Sequence, residues 1–200
     1  MANVRAIHSV GSSVTTFLRN TYPASLDGQP MPACGFELLS CGQLAAPIEE
    51  DTHIGLLLYR VTMNEHARQP RGGSAARAPQ ALSVDLHYLL TAWAGNALEE
   101  QVTFAWALRQ LHLHPLLDAS SLSPEAGWSR EDAIQLVPAE LSTEDVMRIW
   151  DAIDPSYRLS ASYVARVVRI DPDEDTASFA PVVARRDLYG VAGSVGTAGA

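Results

Sequence analysis

The chain has 200 residues, of which 47% are hydrophobic and 18% are charged, and its formal net charge is −9. A chain of this length can bury a core without disulfide or metal staples. Its negative charge argues against general binding to nucleic-acid backbones, which requires concentrated positive charge. We expect a single α/β domain over residues 1–189, followed by a disordered Gly/Ala tail at 190–200.

The two cysteines and the N-terminal sequence indicate the cellular compartment of the protein. Cys34 and Cys41 are separated by six residues, a spacing that matches no zinc or redox motif. The N-terminus lacks the apolar run of a signal peptide, and no segment approaches the ~20 apolar residues of a membrane span. We therefore expect a cytoplasmic protein with ordinary thiols and with no membrane partner.

The first half of the chain predicts one helix and three strands. Apolar residues at helical spacing, beginning with Ile7, Val10 and Val14, predict a helix over residues 2–20. Three prolines and two glycines predict a loop over 23–35. Strands are predicted at 36–40, at 54–62 and at 82–91, and the second of these is apolar on both faces, which is typical of a central strand.

The second half adds two helices and further strands. Asn96 is a predicted N-cap for a helix that runs to about Leu113. The apolar arc of this helix is so wide that contact with another subunit is an alternative to burial within one chain. Ser142 predicts the start of the next helix, which ends before Asp154 and Pro155. Strands are predicted at 132–138, 163–170 and 182–183. The fold class is α/β (α+β), with a single mixed β-sheet of about four to six strands packed with three main helices.

Asp85 and His87 are the residues that raise the question of chemistry. They alternate with apolar residues on the strand at 82–91 and point to the same side, about 7 Å apart. A metal-dependent enzyme that uses them with Asp51, His53 and His66 is one hypothesis. The simpler interpretation makes both residues the polar face of a core strand.

Other catalytic motifs are missing from the sequence. It contains neither a Gly-x-Ser-x-Gly elbow nor a phosphate-binding Gly-rich loop. We therefore predict that the protein is not an enzyme and has no catalytic, cofactor-binding or metal site. Asp85 and His87 are expected to pair with Arg60 or Arg166 across the sheet.

The order of the motifs resembles a known family. The strand LLLYRVTMNEH is followed by an Arg/Pro/Gly loop, by LSVDLHYLLTAWA and by a helix that ends RQLHLHPLLD. Then come IQLVPAELSTEDVMRIWDAI and YRLSASYVARVVRID. Over about residues 5–188, the chain is similar to the N-terminal domain of the cap proteins, or tube terminators, of phage-tail-like extracellular contractile injection systems.

The resemblance implies a structural function. Such proteins form a hexameric ring on the last ring of the inner tube, and often on the sheath, and they end assembly. Some relatives carry a further C-terminal domain, whereas only a Gly/Ala tail is expected here. The implied partners are other copies of the chain, the inner tube protein and the sheath protein, with the cap incorporated into the particle. A regulatory adaptor of the same fold remains the alternative.

The 64–80 loop is the predicted assembly segment. This loop contains Arg68, Arg71 and Arg77, and we expect them to pair with carboxylates of a neighbouring subunit or of the tube. The N-terminal helix and the C-terminal tail are further candidates for contacts that become ordered on binding.

Overall fold

The computed structural model describes residues 2–44, 51–64, 81–153 and 156–172. Three helices are long: α1 (Ala6–Thr21), α3 (Ala97–Leu113) and α4 (Thr143–Asp151). A fourth helix, α2 (Cys41–Leu44), has four residues. The strands are β1 (Ser25–Leu26), β2 (Gln29–Pro30), β3 (Gly35–Leu39), β4 (His53–Met63), β5 (Leu82–Trp93), β6 (Leu116–Asp118), β7 (Ala133–Ala139) and β8 (Ser160–Ile170).

The main sheet has six strands in the order β3-β4-β5-β8-β7-β6. β3 runs parallel to β4, and every other neighbouring pair is antiparallel. This confirms the predicted fold class, a mixed sheet of four to six strands with three main helices. β4 is paired on both sides, as its two apolar faces predicted.

A separate small hairpin replaces part of the predicted loop at 23–35. β1 and β2 pair around Asp27 and Gly28, whose φ angles are 51° and 78°. Asp-Gly is the sequence that tolerates two consecutive positive φ angles in a tight hairpin turn. The two strands have only two residues each, which is why no alternation was visible in the sequence.

The larger core cluster lies between one face of the sheet and the helices α1 and α3. Val10, Val14 and Leu18 of α1 are completely buried there, one helical turn apart. They meet the even-numbered residues of β5, such as Leu86 and Tyr88. The suggestion that the N-terminal helix becomes ordered on binding is therefore wrong, because α1 is part of the core. The helix begins at Ala6 and not at the predicted residue 2, and Val4, which precedes it, is 76% exposed.

α4 covers the other face of the sheet. Ser142 caps it as predicted, since its Oγ accepts the Asp145 N–H at 3.1 Å. Its apolar stripe, including Trp150, packs on the odd-numbered residues Leu89 and Trp93 of β5. The staple residue Leu141 joins the same cluster. Each face of β5 thus supports a core of its own at this end of the sheet.

Candidate functional site

Asp85 and His87 point to the same face of the sheet as Leu89 and Trp93, on which α4 packs. The Asp85 carboxylate accepts hydrogen bonds from Asn64 Nδ2 at 3.0 and 3.1 Å and from the Val167 N–H at 2.8 Å. His87 Nε2 bonds the Thr62 hydroxyl at 3.0 Å. Both residues are half-buried members of a polar face, as the simpler interpretation predicted.

The predicted pairing of Asp85 and His87 with Arg60 or Arg166 is wrong. Neither arginine forms an ion pair with Asp85 within the described residues. Arg60 lies opposite His87 in the β4–β5 register. Burial lowers the pKa of His87, and the positive charge of Arg60 lowers it further. The lowered pKa favours the neutral imidazole, which acts here as a hydrogen-bonding group.

A β-bulge explains the position of Asp85. The β5–β8 register shifts between Val84 and Leu86, so that both Arg166 and Val167 oppose Asp85. Val167 adopts a φ of 57°, which is strained for a β-branched residue. The bulge takes the Val167 N–H out of the regular ladder, and the Asp85 carboxylate accepts it instead. Asp85 thus satisfies a backbone N–H that the bulge removes from the ladder.

The geometry does not support the metal-site hypothesis. His53 lies opposite Trp93, which is six positions along β5 from His87, so the two histidines are about 20 Å apart. His66 lies outside the described residues. Over 2–44, 51–64, 81–153 and 156–172, no three His, Cys, Asp or Glu side chains come together as a metal site.

A ring cluster around Trp93 was not found in the sequence. His53 stacks parallel to Trp93 with a centroid distance of 5.5 Å, and the Arg158 guanidinium lies 4.7 Å from the Trp93 ring centre. Trp150 contacts Trp93 from α4. His53 Nε2 and Arg158 Nε are buried and have no hydrogen-bond partner among the residues that the structure describes. The residues come from β4, β5, α4 and the approach to β8, so no local pattern brings them together.

The outer side of α3 is a candidate contact surface. Leu98 is 73% exposed, and Ala105, seven residues further along the helix, is exposed too. Thr103, although polar, is buried, and its hydroxyl donates a hydrogen bond to Glu99 O at 2.7 Å. The wide apolar arc therefore has a covered side and an uncovered side. Arg68, Arg71 and Arg77 lie outside the described residues.

A second candidate surface arises where neighbouring strands stop. β3 pairs with β4 only as far as Leu57, and β7 pairs with β8 only as far as Arg166. Beyond these points, within the described residues, the sheet consists of β4, β5 and β8 alone. We call residues 59–63, 82–87 and 166–170 the three-stranded extension. Exposed apolar side chains occur on it at Val61, Met63 and Leu82.

The sequence as a whole identifies the family of this fold. A family model described as the Pvc16 N-terminal domain matches residues 9–185. The chain belongs to the Pvc16 N-terminal domain family. The match includes the smaller core cluster, all of the larger one after its first residues, and all but the first residues of α1. It confirms the resemblance that the order of motifs predicted.

Solved structures share the fold of this Pvc16 N-terminal domain. One is the PVC sheath/tube terminator of an extracellular contractile injection system, in its extended state. It has a TM-score of 0.52 and 18% identity over 94% of this chain and 65% of that chain. Another is the tube-terminating cap of the anti-feeding prophage, with a TM-score of 0.53 and 15% identity over 89% of this chain and 60% of that chain.

Two further facts bound the comparison. The Pvc16 N-terminal domain spans less than two thirds of the length of either solved chain. No curated protein matches it. Among the helices of the described residues, none is long and apolar enough to cross a membrane.

Proposed function

We propose that the chain is a structural cap subunit that binds the distal end of the inner tube of a contractile injection system and ends its assembly. The observation that carries the proposal is the family match over residues 9–185. The shared fold with a sheath/tube terminator and with a tube-terminating cap supports it. The function is binding by shape, and the protein is not an enzyme.

The described surface suits a binding role. Asp85 and His87, the polar residues that the sequence suggested for chemistry, form internal hydrogen bonds. Exposed apolar side chains occur instead on the outer side of α3 and on the three-stranded extension, at Leu98 and Met63 among others. Exposed apolar residues grouped on separate elements favour contacts with protein partners.

The assembled form in this proposal is a hexameric ring. A closed ring needs two different patches on each subunit, one that meets the other on the next copy. The outer side of α3 and the three-stranded extension belong to different elements and are separate surfaces of this kind. The ring forms in the cytoplasm, sits on the last tube ring and becomes part of the particle.

The sheath protein is a further proposed partner. One solved relative is described as a sheath/tube terminator, and the other as a tube-terminating cap. Both solved chains are longer than the region that this chain matches. Contacts made by their additional parts do not carry over, so tube binding is the first function to test.

The 64–80 loop is proposed to contribute charge to this assembly. Arg68, Arg71 and Arg77 are expected to pair with carboxylates of a neighbouring subunit or of the tube. Replacing all three with alanine should weaken ring formation or tube binding. Equal binding by the triple variant and the unmodified chain would remove the loop from the proposal.

The decisive experiment is a pull-down with the cognate tube protein, followed by negative-stain imaging of the bound particles. The cap hypothesis predicts extra density of six-fold symmetry at one end of each tube. Leu98→Glu tests the α3 surface, because a side chain that is 73% exposed tolerates a charge without loss of folding. Ala119→Glu, in the loop after β6, is a control of the same charge. Tubes without this subunit at their tip would refute the proposal.

A further inference from the structure

One edge of the main sheet is open over the last part of β4. β3 pairs with β4 only as far as Leu57, and within the described residues no other strand lies on that side of β4. The Asn64 N–H donates to Ser83 O, so Asn64 bonds toward β5. Because successive residues of an antiparallel strand bond to opposite sides, Val61 and Met63 direct their N–H and C=O groups to the open edge. Their side chains are exposed as well.

The neighbouring edge, on β8, is already occupied where the chain leaves that strand. The N–H of Asp171, directly after β8, donates to Ala2 O at 2.8 Å. The Asn3 N–H donates to Ala126 O, so the N-terminal residues are held beside this edge. A strand that turned back beside β8 would have to displace them. The edge of β4 is therefore the better place for an added strand.

The chain that continues beyond β8 has the composition of such a strand. The described residues end at 172, and residues 179–183 read FAPVV, which includes one aromatic and two β-branched residues. Residues 65–80, which also leave this end of the sheet, contain no Phe, Tyr, Trp, Val or Ile. The family model extends to residue 185, so residues 179–183 belong to the matched domain and not to the Gly/Ala tail.

The connection from β8 to the open edge is short and has the right direction. β4 and β8 both end beside the start of β5, where Met63 lies opposite Val84 and Ile170 lies opposite Leu82. A chain that turns back there runs antiparallel to β4. The open edge lies about 14 Å from β8, which is three strand spacings, whereas residues 171–178 can span about 26 Å. The resulting order, with a fourth strand beside the first, is that of a Greek key.

We propose that residues 179–183 dock as an added antiparallel strand on the open edge of β4 in the same copy. The added strand covers backbone groups that could otherwise pair with a strand of another molecule. Leu82 of the three-stranded extension and the outer side of α3 remain exposed for partners. The docking does not depend on the proposed cap function, because it completes the sheet of a single subunit.

The proline of the segment determines the register of the added strand. Pro181 has no N–H to donate, so its backbone must be directed away from β4. Its neighbours Ala180 and Val182 then bond toward β4, and in the antiparallel direction they lie opposite Met63 and Val61. The Val182 side chain packs beside the exposed Val61 side chain in this register.

Amide hydrogen exchange on the full chain tests the docking. The N–H groups of Val61 and Met63 should exchange slowly, because the added strand accepts both. Val182→Pro removes the N–H that donates to Val61 O and should accelerate both exchange rates about tenfold or more. Val183→Pro is the matched control, because the Val183 N–H points away from β4, and it should change the rates less than about twofold. Fast exchange in the unmodified chain, or equal rates in the two proline variants, overturns the proposal.

Paired cysteines identify the edge and the copy. Val61→Cys with Val182→Cys should form a disulfide within one chain, since directly opposed residues have Cα atoms about 5.5 Å apart. Arg169→Cys with Val182→Cys is the matched pair for the edge of β8. Cys34→Ala and Cys41→Ala remove the native thiols in both variants. Non-reducing electrophoresis and peptide mass spectrometry locate the disulfide.

Each outcome decides between the possible occupants of the edge. A disulfide at 61–182 within one chain supports the docking. A disulfide at 169–182 instead places the segment on β8, and one that joins two chains makes the occupant a second copy; either result, or no disulfide, overturns the proposal. Binding of the unmodified chain to cognate tubes tests the cap function separately. A chain with the 61–182 disulfide that does not bind tubes supports the docking and refutes the cap function.

Discussion

Replacing Asp85 with alanine should lower the free energy of unfolding by about 1–3 kcal/mol, the usual cost of leaving a buried hydrogen-bonding group without a partner. The group at stake is the Val167 N–H, which donates to Asp85 at 2.8 Å because the bulge removes it from the ladder. Asn64 also loses an acceptor, but at the end of β4 its amide can turn toward water. The expected fall in Tm is about 2–4 °C per kcal/mol.

The assay is urea unfolding followed by tryptophan fluorescence. Asp85→Asn is the matched variant, because its side-chain carbonyl still accepts the Val167 N–H and should retain most of the stability. His87→Ala loses the bond to Thr62 and the edge contact with the Tyr59 ring, and it should cost about 0.5–1.5 kcal/mol. If Asp85→Ala has the stability of the unmodified chain, the bulge does not depend on this carboxylate. Stoichiometric zinc that disappears in His87→Ala would instead reveal a metal site.

Three other properties can be predicted from the packing and from the burial of ionisable groups. Gly55→Ala should cost about 1–3 kcal/mol, because its Cβ would overlap the Leu39 side chain. Gly42→Ala meets nothing within 4 Å among the residues that the structure describes, and it is the control in the same urea assay. Burial raises the pKa of Tyr22 to about 12 and that of Cys34 to about 11. The folded state therefore keeps both groups protonated to a higher pH than the unfolded state does. Their contribution to the free energy of unfolding should be fully present below pH ~9 and should decline as the pH rises toward ~12. A melting temperature that is constant over this range would contradict the prediction. At pH 8 Cys34 should react slowly with iodoacetamide, as peptide mass spectrometry would show, and rapid labelling would mean that the thiol is not buried.

α4 shows what the sequence predicts well. Its start depends on Ser142, its staple on Leu141 and Val146, and its buried stripe on a spacing of three and four residues. All of these are interactions within about ten residues of each other, so they can be recognised without knowledge of the fold. The alternation of β5 is equally local, and both elements were predicted to within a few residues.

α3 shows what the sequence alone does not predict. The sequence predicted its N-cap and its wide apolar arc, but it did not show which side of the helix is buried, and the polar Thr103 lies on the buried side. A threonine can be buried in a helix because its hydroxyl bonds the preceding turn, here Glu99 O, and its methyl group packs. Which side of an arc meets the sheet depends on tertiary contacts. The exposure of Leu98 could therefore not be deduced from the pattern.

The candidate surfaces were harder to predict because they depend on where the pairing between neighbouring strands ends. Nothing in the sequence of β4 or β8 shows that β3 ends its pairing at Leu57 or that β7 ends at Arg166. Sequence reasoning expected Asp85 to be neutralised by an arginine across the sheet. The bulge at Val167 uses that carboxylate for a backbone N–H instead. Neither Arg60 nor Arg166 forms an ion pair with Asp85 in the described residues, because the irregular backbone of the sheet uses the acceptor that sequence reasoning assigned to an arginine.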